Sequence, residues 1–402
     1  MYSRIRFLVQ ERSTVIRVGF VLSFEDGWLG GINYFRNLLT ALYALPERNI
    51  EVVVFTGMQT PEESFEGFPA VQIVRSRFFD IGSLPWRIRF HLRRRFSYDF
   101  FLERLLKKQG VSVISHSGWI GKGSAIPAIE WIPDFQHVRL PDLFSADEIA
   151  VRDKIYRNMC ANCSIIILSS HDAQADLAKF SPGRESKSVV LQFVVSPTRP
   201  DHLLPKLSEL ETKYGFAGKY FLLPNQFWKH KNHRVVIEAL GLLSKEGKKV
   251  LVLTTGNDVD YRHPEFFKSL MDRAAQLGVG DGFRHLGLVP LADLAGLMRG
   301  ALAIINPSFF EGWSTTVEEA KSLDKRIILS DIPVHREQNP SHASFFPPDD
   351  AHELAAILWE VWSASESGEV NNIGQAQIET DQRRIEFARS YQNIVLRTVE
   401  SN

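Results

Sequence analysis

The sequence predicts an α/β protein made of two doubly wound domains, each with a parallel sheet covered by helices on both faces. A chain of 402 residues suits two domains of roughly 150–200 residues better than one hydrophobic core. Short apolar runs rich in β-branched residues alternate with segments of helical period, which indicates buried parallel strands. The 44% hydrophobic and 23% charged residues are typical of a globular protein. Two domains of this kind imply a cleft.

The apolar runs fall into two series separated by a segment rich in proline and charge, within 196–218. The first series consists of 15–22, 51–55, 111–115, 128–132 and 164–170. The second consists of 219–226, 248–256, 283–289, 302–308 and 325–331. We therefore predict a first domain over 1–200, a linker over 201–218, a second domain over 219–380 and a C-terminal helix over 381–402. Packing of that helix on its own domain or back across the first domain is left open.

Charge and cysteine content exclude several classes of protein. Lys plus Arg and Asp plus Glu both number 47, so no global field recruits nucleic acid or an anionic membrane. Two cysteines form no disulfide framework, and the N-terminus lacks the apolar run of a signal peptide, which predicts the reducing cytoplasm. Cys160 and Cys163 have C-x-x-C spacing, but without a second pair we interpret them as buried residues and predict no metal site. No apolar stretch reaches the roughly 18 residues of a membrane-spanning helix, so membrane contact would be peripheral.

The most informative segment runs from 305 to 337 and places two glutamates around a helix start. Glu311 lies in the loop after a strand, and Glu319 follows on the second turn of a helix that begins near Ser314 or Thr315. Free N–H groups at a helix start bind phosphate, whereas a carboxylate accepts hydrogen bonds from vicinal hydroxyls. Ligands of open α/β sheets bind at the carboxyl ends of the strands, where this loop falls. The layout predicts a nucleotide-sugar site.

The stretch EGWSTTVEEA, at 311–320, resembles the E-x(7)-E signature of the family 4 retaining glycosyltransferases. The resemblance covers most of 219–360 and extends more weakly to Gly30 and Gly31, which are similar to a glycine loop opening the first helix of that family. It implies the GT-B fold, with two Rossmann-like domains facing across a cleft. It also implies that Glu311 contacts the hydroxyls of the donor sugar, that Thr315 and Thr316 lie near the diphosphate, and that Glu319 holds the ribose.

The implied activity is transfer of a hexose-type sugar from a nucleoside-diphosphate sugar to a hydroxyl of a glycan, glycolipid or lipid-linked acceptor. The family usually places an Arg and a Lys after the first strand of the second domain to neutralise the departing diphosphate, a task that some cation must perform when no metal is bound. Lys231 matches that Lys, Asn225 stands at the Arg position, and Lys229 is a second candidate cation. The resemblance therefore implies a metal-independent enzyme that needs no cofactor beyond the donor itself.

The first domain contributes one candidate, His137, in the segment 131–144. Family members often carry His-Asp at this turn, where this sequence has Pro133 and Asp134. We therefore treat His137 as a candidate contact for the acceptor or the donor sugar and not as a base. A hydrogen-bonded structural histidine is the alternative. Retention without a protein nucleophile implies a front-face route, in which the leaving phosphate takes the proton of the acceptor.

Two further alternatives stay open at this stage, and a third is set aside. A nicotinamide oxidoreductase is disfavoured because no G-x-G-x-x-G follows the run 15–22. The substitutions at 225 and 133 leave room for a catalytically weakened GT-B protein that only binds nucleotide sugars. The stretch 84–110 interleaves Arg with aromatic residues. This stretch is either a solvated helix face or a contact for an anionic membrane or a lipid-diphosphate acceptor.

Overall fold

The computed structural model describes residues 15–23, 29–195, 204–364 and 373–402. Within these ranges the chain forms thirteen β-strands and fourteen α-helices. Backbone contacts divide it into two compact units. Unit 1 comprises residues 1–131, 159–166 and 388–402, and unit 2 comprises residues 132–158 and 167–387. Among the described helices, none combines the length and the hydropathy needed to cross a membrane.

The first sheet has seven strands in the order β3-β2-β1-β4-β5-β6-β7. They are β1 (Ile16–Val21), β2 (Ile50–Thr56), β3 (Gln72–Arg75), β4 (Val113–Ser115), β5 (Ala128–Ile132), β6 (Ile165–Leu168) and β7 (Ser188–Val190). β1 lies inside the sheet and pairs in parallel with β2, where Ile16 is opposite Ile50, and with β4, where Val18 is opposite Val113. The helices that accompany these strands are α1 (Leu29–Tyr43), α2 (Leu84–Phe96), α3 (Phe100–Lys108), α4 (Gln136–Arg139), α5 (Ala146–Asn162) and α6 (His171–Phe180).

The second sheet has six strands in the order β10-β9-β8-β11-β12-β13, and its resolved pairings are all parallel. They are β8 (Phe221–Leu223), β9 (Val252–Thr254), β10 (Phe283–His285), β11 (Ile304–Asn306), β12 (Ile327–Ser330) and β13 (Ala343–Phe346). Its helices are α7 (Leu207–Tyr214), α8 (His233–Lys245), α9 (Phe266–Gln276), α10 (Leu291–Gly300), α11 (Thr315–Ser322), α12 (Pro333–Gln338) and α13 (Ala351–Ala364), followed by α14 (Ile373–Glu400). β8 and β11 are neighbours, so their carboxyl ends meet at one edge.

Apolar residues on both faces of the second sheet explain why its strands are continuous hydrophobic runs. Side chains alternate across a strand, and Phe221 and Leu223 pack into one buried cluster while Leu222 packs into another. Ile305 and Ile304 divide between the same two clusters. A parallel sheet buried on both faces has no polar alternation, which is the pattern that the sequence showed.

The predicted fold class is confirmed, and each predicted strand run contains an observed strand. Three strands were missed: β3, β7 and β13. Each lies at the edge of its sheet, where one side of the strand has no neighbour and a short, partly polar sequence suffices. The predicted linker contains α7, whose Leu210 is buried in a core cluster of the second sheet. Residues 196–203 lie outside the described ranges, and the predicted terminal helix is part of the longer α14.

Candidate active site

The site forms where β8 and β11 end side by side in unit 2. β11 ends at Asn306, a loop follows, and α11 begins at Thr315 with Ser314 as its N-cap. The Ser314 hydroxyl accepts a hydrogen bond from the backbone N–H of Val317 at 3.3 Å. The side-chain amide of Asn306 donates to the same hydroxyl at 2.8 Å. A capped helix start is thus fixed directly to the end of a central strand.

An ion pair between Lys231 and Glu311 occupies the centre of this site. Lys231 Nζ lies 2.7 Å from Glu311 Oε1, and the two side chains are 19% and 9% exposed. Burial alone would raise the pKa of Glu311, but the charge of Lys231 outweighs it and lowers the pKa to about 2. Glu311 is therefore ionised at neutral pH, which makes both of its oxygens acceptors for the predicted contact with sugar hydroxyls.

Ser308 and Asn306 hold the Glu311 carboxylate from the strand side. The Ser308 hydroxyl lies 2.7 Å from both Oε1 of Glu311 and Oδ1 of Asn306, and all three residues are buried. Ser330, at the end of β12, donates to the carbonyl of Ser308 at 2.5 Å. These bonds fix the carboxylate in one orientation, which is the preorganisation that a binding group needs.

Asn225, predicted at the position of the family Arg, is a buried link between elements. Its amide donates to Asn306 Oδ1 at 3.1 Å, and its carbonyl accepts from the Thr316 hydroxyl at 3.2 Å. These bonds use one of the two N–H donors of the Asn225 side chain and its oxygen, so a single N–H remains for a ligand. Asn225 carries no charge, so Lys231 is left as the cation of the pair beside Glu311.

The first turn of α11 offers hydrogen-bond donors to an anion. Among the described residues, the backbone N–H groups of Thr315 and Thr316 have no acceptor, as expected for the start of a helix. Such groups, together with the helix dipole, bind phosphate. The place of Thr315 and Thr316 near a diphosphate stays a prediction, and the Thr316 hydroxyl is bonded to Asn225, which leaves the two backbone N–H groups as the available donors.

Glu319 lies on the same face of α11 as Thr315 and Thr316, because residues three and four apart face the same side of a helix. The side chain is half-buried, and no described residue pairs with its carboxylate. Burial raises its pKa to about 7. Its neighbour Glu318 is fully buried and paired with Arg383 at 2.6 Å, so Glu318, which is not one of the two signature glutamates, has a structural role. Glu319 keeps an acceptor for ligand hydroxyls.

The raised pKa of Glu319 predicts pH-dependent nucleotide binding. In the predicted role, the carboxylate is ionised above about pH 7 and would accept the ribose hydroxyls, whereas protonation below that pH removes the charged acceptor. We expect the affinity for a nucleoside diphosphate to fall about five- to tenfold from pH 8 to pH 6, measured by calorimetry. The phosphate of the ligand also titrates in this range, so Glu319→Gln is the control. In this variant only the part of the pH dependence that comes from the phosphate should remain. Equal pH dependence in both proteins would refute the ribose role.

Sequence reasoning missed two side chains of α12, His335 and Gln338. Gln338 accepts from the amide of Ser314 at 3.1 Å and donates to its carbonyl at 2.9 Å. His335 is fully buried with Nδ1 2.9 Å from the carbonyl of Ser330, and burial lowers its pKa despite nearby Glu311. Both follow β12, the strand beside β11. That strand-end position was the available signal.

The remaining predicted residues lie away from the ion pair or make no contact with it. His137 is 1% exposed, lies 3.2 Å from Asp153 through Nε2, and packs against the rings of Phe135, Tyr156 and Phe180. These surroundings account for it as a structural histidine, and its role as a sugar contact stays a prediction.

Lys229 is exposed and its side chain has no described bond, whereas its backbone N–H donates to Asp260 at 3.2 Å and its carbonyl accepts from the backbone N–H of Asn232 at 3.3 Å. Gly30 and Gly31 lie in the first turn of α1, and residues 24–28 before them lie outside the described ranges. Cys160 and Cys163 are buried thiols. In the described part of the chain, no three His, Cys, Asp or Glu side chains converge as metal ligands would.

Comparison with known proteins finds one matching family model and several similar structures. Residues 211–376 match the family model of glycosyl transferases group 1. The O-antigen chain mannosyltransferase RfbU of Salmonella typhimurium is 25% identical over 189 residues. The matched region is 47% of this chain, and the chain spans only 48% of the length of that relative. A glycosyltransferase from Rickettsia africae has a TM-score of 0.67 and 16% identity over 96% of this chain and 99% of its own. Anabaena Alr3699/HepE in complex with UDP-glucose has a TM-score of 0.64 and 14% identity over 95% and 100%.

The two parallel sheets, with a site at the carboxyl ends of the second, define a protein of the GT-B fold. Over residues 211–376 the chain is similar to the glycosyl transferases group 1.

Proposed function

We propose that the chain is a retaining glycosyltransferase of family 4 that moves a hexose-type sugar from a nucleoside-diphosphate sugar to a hydroxyl of a glycan, glycolipid or lipid-linked acceptor. The observation that carries this proposal is the buried ion pair of Lys231 and Glu311 beside the open first turn of α11. A cation, a row of amide donors and two carboxylates match the diphosphate, the sugar and the ribose of one ligand.

In this proposal Lys231 acts on the charge that develops when the bond between the sugar and the diphosphate breaks. A fixed cation in a partly buried site stabilises the leaving phosphate more than it stabilises the ground state. We propose that no metal is needed for this step. The acceptor oxygen forms its bond to the sugar on the face that the phosphate leaves, and the acceptor proton passes to a phosphate oxygen. Glu311 orients the sugar through its hydroxyls and takes no part in proton transfer.

The comparisons support a glycan acceptor of the kind found in O-antigen synthesis, since the relative RfbU is an O-antigen chain mannosyltransferase. The Anabaena structure contains UDP-glucose, which supports a nucleotide sugar as donor. Mannose and glucose are therefore the first donor sugars to test, each with both UDP and GDP. We place the reaction in the reducing cytoplasm, in keeping with two buried thiols in the whole chain. An acceptor held in a membrane would bring the protein to an anionic surface.

A ligand panel tests the proposed donor class. A ligand at 100 times its dissociation constant adds about 2.7 kcal/mol to the free energy of unfolding, so the correct donor should raise the melting temperature measurably. We expect one sugar nucleotide to stabilise the protein more than its free nucleoside diphosphate does. Chromatography should then detect its slow hydrolysis or its transfer to glycan acceptors. Stabilisation without any turnover would favour a binding protein, and no stabilisation by any nucleotide would refute the proposal.

A further inference from the structure

The helix α2 and its flanks, residues 76–103 of unit 1, form a surface with an unusual combination of side chains. Six large apolar residues are exposed there: Ile81, Leu84, Ile88, Phe90, Phe96 and Phe100. Leu84 is 71% exposed, and α2 contains no buried residue. Single exposed apolar residues are common on any protein. Six within one short segment, adjoining a cluster of arginines, need a specific explanation.

The exposed charges of this segment are all positive. Arg87, Arg93, Arg94 and Arg95 are exposed on α2, which has no acidic residue in its first turn. The three acidic residues between 76 and 103 are Asp80, Asp99 and Glu103, and all three are buried. A solvated helix face in a chain of zero net charge normally mixes both signs. Among its exposed residues this segment has arginines and large apolar side chains but no acidic residue.

Two arginines of α2, Arg89 and Arg93, make bonds that hold the helix in place. Arg89 forms an ion pair with Asp99 at 2.8 Å, donates to the carbonyl of Phe78 at 3.1 Å and lies over the ring of Phe79. Ser83 caps the helix by accepting from the amide of Trp86 at 3.2 Å. Arg93 donates to the carbonyl of Trp119 at 3.3 Å. The helix is thus anchored through Arg89 and Arg93, while its other arginines and its exposed apolar residues stay accessible.

We propose that the α2 surface, residues 76–103, docks the protein on an anionic lipid bilayer. Arginine guanidinium groups attract the headgroups, and exposed aliphatic and aromatic side chains insert at the boundary between headgroups and acyl chains. A nucleic acid would bind the arginines but gain little from Leu84 and Ile88. An acidic protein would also bind the arginines, but it offers no apolar phase into which these side chains could insert. The bilayer is the partner that uses both halves of the surface. Docking would bring unit 1 to the surface where a lipid-linked acceptor resides. Membrane docking is a property additional to the proposed transfer reaction.

Cosedimentation of the full chain with vesicles tests this surface. The native protein should bind vesicles of mixed phosphatidylcholine and phosphatidylglycerol at low salt, bind pure phosphatidylcholine weakly, and dissociate at high salt as the Debye length shortens from ~8 Å to ~3 Å. The change of Arg87, Arg94 and Arg95 to Ser should weaken partitioning about 100-fold, because each arginine near such a surface contributes about fivefold. Changing Leu84 and Ile88 to Ser should also weaken it, at every salt concentration.

A matched control replaces three exposed lysines of unit 2, Lys154, Lys245 and Lys249, with Ser, which removes the same charge elsewhere. Its binding should equal that of the native chain, and all variants should keep the native melting temperature and nucleotide affinity. Three results would overturn the proposal: no binding to anionic vesicles at low salt, an equal loss in the control, or displacement by duplex DNA with no effect of the Leu84 and Ile88 changes. Nucleotide binding and sugar transfer to a soluble acceptor are measured separately, so a failure here leaves the proposed reaction untouched.

Discussion

Replacing Lys231 with Met is expected to lower kcat by about 10²- to 10³-fold with a much smaller change in KM, in line with the loss of one preorganised group that stabilises transition-state charge. Lys231 is 2.7 Å from Glu311 and is the cation of the central pair, whereas the amide of Asn225 is engaged by Asn306 and Thr316. The pair of Lys231 and Glu311 contains no other cation that could stabilise the leaving diphosphate after this substitution. Single-turnover kinetics with the donor identified by the ligand panel measure the effect.

Lys229→Met is the matched control, because this exposed lysine lies two residues away and its side chain makes no described contact. It should change kcat by less than about threefold, as surface lysines usually contribute little. A loss of kcat at position 229 with none at position 231 would show that Lys229, and not Lys231, neutralises the departing diphosphate. The pair of Lys231 and Glu311 would then be only structural.

The Lys231→Met change also leaves a buried carboxylate without its partner. Breaking a buried ion pair from one side typically costs about 3–5 kcal/mol of unfolding free energy. The double variant Lys231→Met with Glu311→Gln removes both charges, so it should recover most of that stability without recovering kcat. Urea denaturation of the native chain, both single variants and the double variant gives the coupling energy of the pair. Recovery of activity together with stability would mean that Lys231 acts only through folding.

Glu311→Gln is expected to separate sugar recognition from diphosphate binding. Hydrogen bonds to a charged acceptor contribute about 1.5–3 kcal/mol, so kcat/KM for the nucleotide sugar should fall about 10- to 100-fold. The free nucleoside diphosphate should bind at least as tightly as to the native chain, because the charge of Lys231 is no longer neutralised by its partner. Calorimetry with the diphosphate and kinetics with the sugar nucleotide measure the two effects. An equal loss for both ligands would contradict the assignment of Glu311 to the sugar.

The pKa of Glu311 adds a test that needs no substrate. Its value of about 2 in the folded protein is below the ordinary value of a glutamate in an unfolded chain, near 4.3, so the ionised form stabilises the fold above that range. This contribution is lost as the pH falls from about 5 towards 2. The native protein should therefore lose more stability than Glu311→Gln over this interval, measured by urea denaturation. Parallel pH profiles would show that the carboxylate is not held by Lys231 in solution.

Local sequence determined several features of this protein. The buried strands and the two-domain fold followed from continuous β-branched runs, because a strand covered on both faces must be apolar along its whole length. The start of α11 followed from Ser314, whose side chain bonds within its own first turn. Glu311 and Glu319 followed from their spacing around that start. These properties depend on residues within about ten positions of one another.

The tertiary structure decided what these residues meet. Lys231 and Glu311 are 80 positions apart in sequence, and they pair because β8 lies beside β11 in the sheet, an order that no local pattern contains. The same adjacency brings Asn225 next to Asn306. Asn225 was predicted to contact the donor, and it forms a structural hydrogen bond with Asn306. The burial of Glu318, beside the accessible Glu319, likewise depends on Arg383 from a distant helix. Side chains on neighbouring positions have the same local chemistry, and only the packing around them separates a group that binds a ligand from one that binds the protein itself.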